Sequence, residues 1–278
     1  MIYKFITNSA EVARYAIDSG VQRIFVDGEQ LGKADRQGHL DTHKAIHKPE
    51  DAHAIKTQVP EAEVMYRCNP VHNEFEAELA SVLAGPVDRI MLPMFTTAGE
   101  VHRCAQLAAG RTKVTLLLET PQALTRIDDI LKVCHDYESI DEIHIGLNDL
   151  HLAMGLNFMF ELLTGGIVEY AIKRIRNEPA IRYGFGGVAQ VGEGAVPAEV
   201  ILGEHVRLGS EMVILSRTFH HRANSIKELQ SRIDLPDALE KLNQQVSFWK
   251  QVNADKIEEN RKRLHQLVSK VVLQNVNT

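Results

Sequence analysis

Several short apolar runs in this chain end in side chains that can hold a metal, an anion or a proton. Val114–Leu118 is followed by Glu119, and Glu142–Ile145 by Gly146, Leu147, Asn148 and Asp149. Arg23–Val26 runs into Asp27, Gly28, Glu29 and Gln30, and Glu63–Tyr66 into Arg67. Glu119 and Asp149 stand 30 residues apart, at the ends of successive runs. Two carboxylates so placed, completed by water and substrate, suit a divalent metal with octahedral preference, Mg²⁺ or Mn²⁺. Zinc would want His or Cys, and neither stands beside them. The competing reading is that each carboxylate merely caps the helix that follows it.

These groups act together only if the chain gathers them. Tyr3–Ile6, Arg89–Leu92, Arg182–Phe185 and Met212–Leu215 bring the strand-like runs to eight. Stretches of helical period lie between them, including Ser9–Ser19, His72–Leu83, Thr97–Ala109 and Pro121–His135. Ser9 fits an N-cap, Gly20 a helix stop, and Thr120-Pro121 an N-cap followed by proline at the first helical position. Such alternation predicts an α/β fold, a (β/α)₈ TIM barrel over residues 1–221. A doubly wound sheet is the alternative, but no Gly-x-Gly-x-x-Gly follows the first run. In a barrel every strand ends at one mouth, so Asp27, Glu29, Arg67, Glu119 and Asp149 converge there.

Two segments exceed a minimal barrel. Residues 147–180 are long for one connection and predict an extra turn or lid. Residues 222–278 form a C-terminal helical extension, where Leu235, Leu239, Leu242, Val246, Trp249 and Val252 make an apolar stripe. That stripe packs on the chain's own barrel or builds a homo-oligomer.

Composition narrows the partners. Against 31 Lys and Arg stand 37 Asp and Glu, a formal charge of −6, which disfavours nucleic acid and anionic membrane. No apolar run reaches the roughly 18–20 residues of a membrane span, and the start lacks a signal-peptide pattern. Three scattered cysteines, Cys68, Cys104 and Cys134, indicate reduced thiols and a cytoplasmic setting.

Four motifs resemble those of the HpcH/HpaI aldolase and citrate lyase β-subunit family. Leu116-Leu117-Leu118-Glu119-Thr120-Pro121-Gln122-Ala123 is similar to its "IETPEA". Ile143–Leu150 with Met154-Gly155 is similar to "FIGPNDLSxxMG", Phe25–Glu29 to "IDGEH", and Met91–Met94 to "LVPMV". They occur in the family's order across about residues 10–220. The resemblance implies a class II aldolase or lyase acting on a small 2-oxo acid through a pyruvate-like enolate. Glu119 and Asp149 would then be the metal ligands, and Arg67 would bind the keto oxygen. Backbone N–H groups near Asn148 and Asp149 would hold the substrate carboxylate, and Gly146 would allow its close approach.

One position departs from the pattern. Gln30 stands where the aldolase branch has a histidine, and glutamine takes no proton near neutral pH. Asp27 and Glu29 remain, as carboxylates that orient metal-bound water. His39, His43 and His47 could supply another base or be solvated loop residues; His144 reads as structural, and His151 is open. Arg67-Cys68-Asn69-Pro70 is closer to the "RxNP" of the citrate lyase branch. The glycine-rich Gly184–Gly194 is a phosphate loop or simply tight turns, and Arg217 binds an acidic substrate tail or forms a structural ion pair. Three functions follow: a metal-dependent aldolase, an acyl-thioester lyase, or a non-catalytic ligand-binding barrel.

Overall fold

The β-branched runs become eight strands: β1 (Ile2–Ile6), β2 (Arg23–Asp27), β3 (Glu63–Arg67), β4 (Arg89–Leu92), β5 (Lys113–Leu118), β6 (Ile140–Ile145), β7 (Arg182–Val188) and β8 (Met212–Leu215). In the computed structural model each pairs in parallel with the next, and β8 returns to β1 to close the barrel. Residues 1–32, 47–178, 180–221, 223 and 225–276 are described. The first half of the helical layer is α1 (Ala10–Asp18), α2 (Pro49–Gln58), α3 (Phe75–Val82), α4 (Ala98–Ala108), α5 (Pro121–Thr125) and α6 (Ile127–Asp136). After β6 come α7 (Leu147–Ala153), α8 (Glu161–Thr164) and α9 (Ile167–Ile175), and after β7 comes α10 (Ala198–Arg207). The chain finishes with α11 (Ile226–Arg232), α12 (Leu235–Gln251) and α13 (Ala254–Val276).

Local signals act as the residue types predict. Ser9 Oγ accepts the Val12 N–H, and Thr120 Oγ1 accepts the Ala123 N–H ahead of Pro121. The helix expected over Pro121–His135 is instead two, parted at Arg126. The Arg126 N–H turns back to Gln122 and Ala123, and its guanidinium holds Thr96 O at 2.7 Å.

Inside the barrel, side chains alternate in layers because strand side chains have period two. The bottom layer is ionic. Arg23, fully buried, donates to both oxygens of Glu142 (2.6 and 2.8 Å) and to Glu63 (2.9 Å). Arg89 pairs with Glu63 and Asp141, and Arg182 reaches Glu142 at 2.7 Å. Two residues further along each strand lie Phe25, Met65, Met91 and Leu117, an apolar plug flanked by Ile6 and Ile214. Two further again come Asp27, Arg67 and Glu119, at the mouth.

The stripe on α12 finds its partner on the chain itself. Leu235, Leu239, Leu242, Val246 and Trp249 are buried, and both α12 and α13 pack on α10. Trp249 Nε1 donates to Glu199 O (2.8 Å), and Asn260 Nδ2 to Val200 O (3.0 Å). A Cβ on Gly203 would lie 2.4 Å from Asn260 Nδ2, so α10 and α13 touch only because that residue is glycine. Among the described residues no helix is long and apolar enough to cross a membrane.

Candidate active site

Asp27 and Arg67 are register partners on β2 and β3, so their side chains leave neighbouring strands on the same side. Arg67 Nε and Nη2 donate to the two Asp27 oxygens, each at 2.8 Å, the bidentate geometry of a planar fork on a carboxylate. Nη1 lies 3.3 Å from Glu29 Oε2, and the guanidinium sits 5.5 Å over the Phe25 ring. Burial alone would favour loss of the Arg67 proton, but Asp27 and Glu29 more than offset it and push the pKa further up. The arginine is therefore a fixed charge. Asp27 and Glu29, expected to orient metal-bound water, are placed here as its clamps.

The loop that carries Glu29 is pinned along its backbone. Gly28 N–H donates to Arg67 O (3.0 Å), and a Cβ there would lie 2.0 Å from Tyr66 Oη. Gln30 and Leu31 N–H both donate to Asn69 Oδ1, at 2.8 and 2.9 Å. Asp27 N–H donates to His47 Nδ1 at 2.9 Å. His47 thus belongs to the mouth, whereas His39 and His43 lie outside the described residues.

Glu119 follows β5 and is 2% exposed. Met94, in the left-handed region (φ 53°), donates its N–H to Glu119 Oε1 at 3.2 Å. A Cβ on Gly146 would fall 2.6 Å from Glu119 Oε2, so the end of β6 must be glycine for that carboxylate to lie where it does. Burial drives the Glu119 pKa well above the usual range; Arg67 opposes the rise, while Asp149 and Glu29 add to it. Asp149, in the first turn of α7, is also buried. Among the described residues, Asp27, Glu29 and Glu119 thus surround the Arg67 guanidinium, and Asp149 stands against Glu119. A cation shared by Glu119 and Asp149 would relieve both the burial and the like-charge repulsion, so these residues fit a divalent metal. Among the described residues no group of three or more His, Cys, Asp or Glu is arranged as a metal site.

Asn148 is exposed on α7, whose N-cap, Gly146, offers no side-chain cap. Arg217 is exposed in the turn after β8. His144 is structural: Nδ1 faces Lys4 Nζ (3.4 Å) and Nε2–H donates to Gly186 O (3.0 Å). His151 is buried and donates from Nδ1 to Leu147 O. In the glycine-rich segment β7 runs on to Val188 through an irregularity at Gly186 (φ 52°). Beyond the strand, Gly192 gives its N–H to the Glu199 carboxylate at 3.1 Å, so that donor is already taken by an anionic side chain. A surface cleft of about 580 Å³ lies at the opposite end of the barrel, beside Asp88, Arg111, Lys113 and Tyr137. Sequence reasoning missed the Met94 N–H and the role of Asn69, since neither has a side-chain pattern that announces it.

Fold and mouth together define a (β/α)₈ barrel with an acid-rich site at the C-terminal ends of its strands, where barrel enzymes do their chemistry. The profile of the HpcH/HpaI aldolase/citrate lyase family matches residues 7–177, and the chain belongs to that family, whose members are aldolases and lyases. Two solved structures share the architecture. The HpcH/HpaI aldolase from Desulfitobacterium hafniense DCB-2 is 14% identical, with a TM-score of 0.60 over 91% of this chain and 94% of that one. A HpcH/HpaI aldolase/citrate lyase family protein from Burkholderia cenocepacia J2315 is 11% identical, with a TM-score of 0.61 over 83% and 93%. Likeness at this level concerns the fold. No curated protein matches the chain.

Proposed function

We propose that the protein is a divalent-metal-dependent carbon–carbon lyase that works through the enolate of a small 2-oxo acid. The observation that carries this reading is Glu119, a buried carboxylate set against Asp149 and Glu29 with Arg67 as counter-charge. Glu119 and Asp149 would hold Mg²⁺ or Mn²⁺, which when bound supplies Lewis acidity toward the 2-keto oxygen. Arg67 gives two of its five N–H donors to Asp27 and sets Nη1 3.3 Å from Glu29, and its remaining N–H groups would meet the developing oxyanion. Because those carboxylates already fix the fork, little reorganisation accompanies the reaction. The uncapped start of α7 offers N–H groups to the substrate carboxylate. Among the histidines able to take a proton in place of Gln30, His47 is held at this loop by Asp27.

Incubation with pyruvate and Mg²⁺ in D₂O should exchange the methyl protons, seen as loss of their NMR signal. Arg67→Ala should slow that exchange by about 10²–10³-fold, the effect of removing an oxyanion donor, while still melting cooperatively. A wild-type protein that exchanges nothing refutes the enolate reading. Arg67-Cys68-Asn69-Pro70 and Gln30 favour a second reading, a lyase on an acyl thioester. Metal-dependent exchange into acetyl-CoA but not pyruvate would transfer the assignment to it.

A further inference from the structure

The link between α3 and the mouth is made by two polar side chains, Asn69 and Glu78. Glu78 Oε1 accepts the Asn69 backbone N–H at 2.8 Å, and Oε2 accepts Asn69 Nδ2–H at 3.1 Å. A carboxylate accepts but cannot donate, so Glu78 decides which end of the Asn69 amide it meets. The nitrogen faces Glu78, and Oδ1 is turned to the β2 loop, where it takes the N–H groups of both Gln30 and Leu31. Gly28 is bonded to Arg67 O on the other side of Glu29. The one residue bracketed by these ties presents a side chain that is 1% exposed and 3.3 Å from Arg67 Nη1.

We infer that Asn69 and Glu78 form a clasp that positions Glu29 and, through it, the Arg67 fork. Both are positioning residues: they bond to each other and to backbone N–H groups, not to Arg67 itself. The inference rests on the proposed role of Arg67 for its consequence in turnover, but the clasp itself is testable without turnover. Cutting the two bonds to Oδ1 loosens the loop beyond Glu29 and weakens the hold of Glu29 on Arg67.

Four proteins test this: wild type, Asn69→Ala, Glu29→Ala and the double variant. Amide hydrogen exchange at Gln30 and Leu31 should speed up by roughly 30-fold in Asn69→Ala, equivalent to about 2 kcal/mol. Phenylglyoxal modification of Arg67, followed by peptide mass spectrometry, should quicken to the same degree in Asn69→Ala and Glu29→Ala. The double variant should react no faster than Glu29→Ala alone, because both changes release one contact. A merely structural asparagine would give additive effects, and additivity overturns the inference, as does unchanged amide exchange. If Asn69→Ala fails to fold, the charge-swapped pair Asn69→Asp with Glu78→Gln decides. That pair keeps every hydrogen bond of the clasp, with donor and acceptor exchanged only in the bond between the two side chains, and it should restore wild-type Arg67 reactivity, whereas Asn69→Asp alone should not. Failure of that rescue overturns the clasp. Non-additive Arg67 reactivity in a protein that exchanges no pyruvate protons would sustain the clasp and refute the enolate reading separately.

Discussion

Replacing Lys4 with methionine should flatten the dependence of stability on alkaline pH. Lys4 is fully buried on β1, with Nζ 3.4 Å from His144 Nδ1. Burial lowers its pKa to about 7; Glu142 and Glu63 resist that fall, while Arg23 and Arg89 reinforce it. An unfolded lysine titrates near 10.5, so between those values the folded protein binds about one proton fewer than the unfolded chain. Stability therefore rises with pH through this window, by at most about 1.4 kcal/mol per pH unit. From pH 7, where the folded amine is half titrated, to pH 9 the gain is about 2 kcal/mol. With a urea m-value of roughly 3 kcal/mol/M, the wild-type midpoint should climb by about 0.7 M relative to Lys4→Met. Urea melts of both proteins at pH 7, 8 and 9 give the comparison, and groups common to both cancel. Parallel profiles would refute the reasoning, for they would mean that Lys4 stays charged inside the barrel.

Three further outcomes are expected. Mg²⁺ at a hundred times its dissociation constant should stabilise the fold by about 2.7 kcal/mol, a rise of about 5 °C in Tm for a chain of this length. Glu119→Gln should raise the metal-free Tm at pH 8, where the buried charge is costly, and abolish the metal response; calorimetry with and without Mg²⁺ reads both, and a retained response excludes Glu119 as a ligand. Gly203→Leu should force α13 away from α10 at a cost of about 3 kcal/mol or less. Trp249 is the only tryptophan, so its emission should shift to the red, and unchanged emission would place the clash elsewhere.

Most strands were legible because β-branched runs and turn residues agree; Arg89–Leu92 and Met212–Leu215 coincide with β4 and β8. The ionic bottom layer was legible in principle as well. Arg23, Glu63, Arg89, Glu142 and Arg182 each open one of the apolar runs, a pattern that exposed strand ends would not require. It escapes a reading by hydropathy because a charge at the edge of an apolar run looks like the edge. At the mouth, strand-end positions identify Asp27, Arg67, Glu119 and Asp149, but not their pairing. That Asp27 and Glu29 clamp Arg67 depends on register between β2 and β3 and on a loop pinned by Asn69, both set by backbone geometry.

The two ends of the barrel make the functional argument by contrast. Glu142 and Glu119 are buried glutamates on neighbouring strands, β6 and the end of β5. Burial acts on both in the same direction. At the bottom it is overcome: the Arg23 hydrogen bonds, with Lys4 and Arg89 nearby, pull Glu142 down to about 2. There the guanidiniums of Arg23, Arg89 and Arg182 face Glu63, Asp141 and Glu142, so the chain supplies its own counter-charge. At the mouth Arg67 opposes the rise but is already gripped by Asp27 and Glu29, and Glu119 stays well above the carboxylate range. A purely structural ion layer would be neutralised as the bottom one is. Among the described residues Arg67 is the cation set against buried Glu119, with Asp149 as a second carboxylate beside it, and that is why the proposed metal reading attaches to Glu119 and Asp149 and not to the richer ionic cluster below.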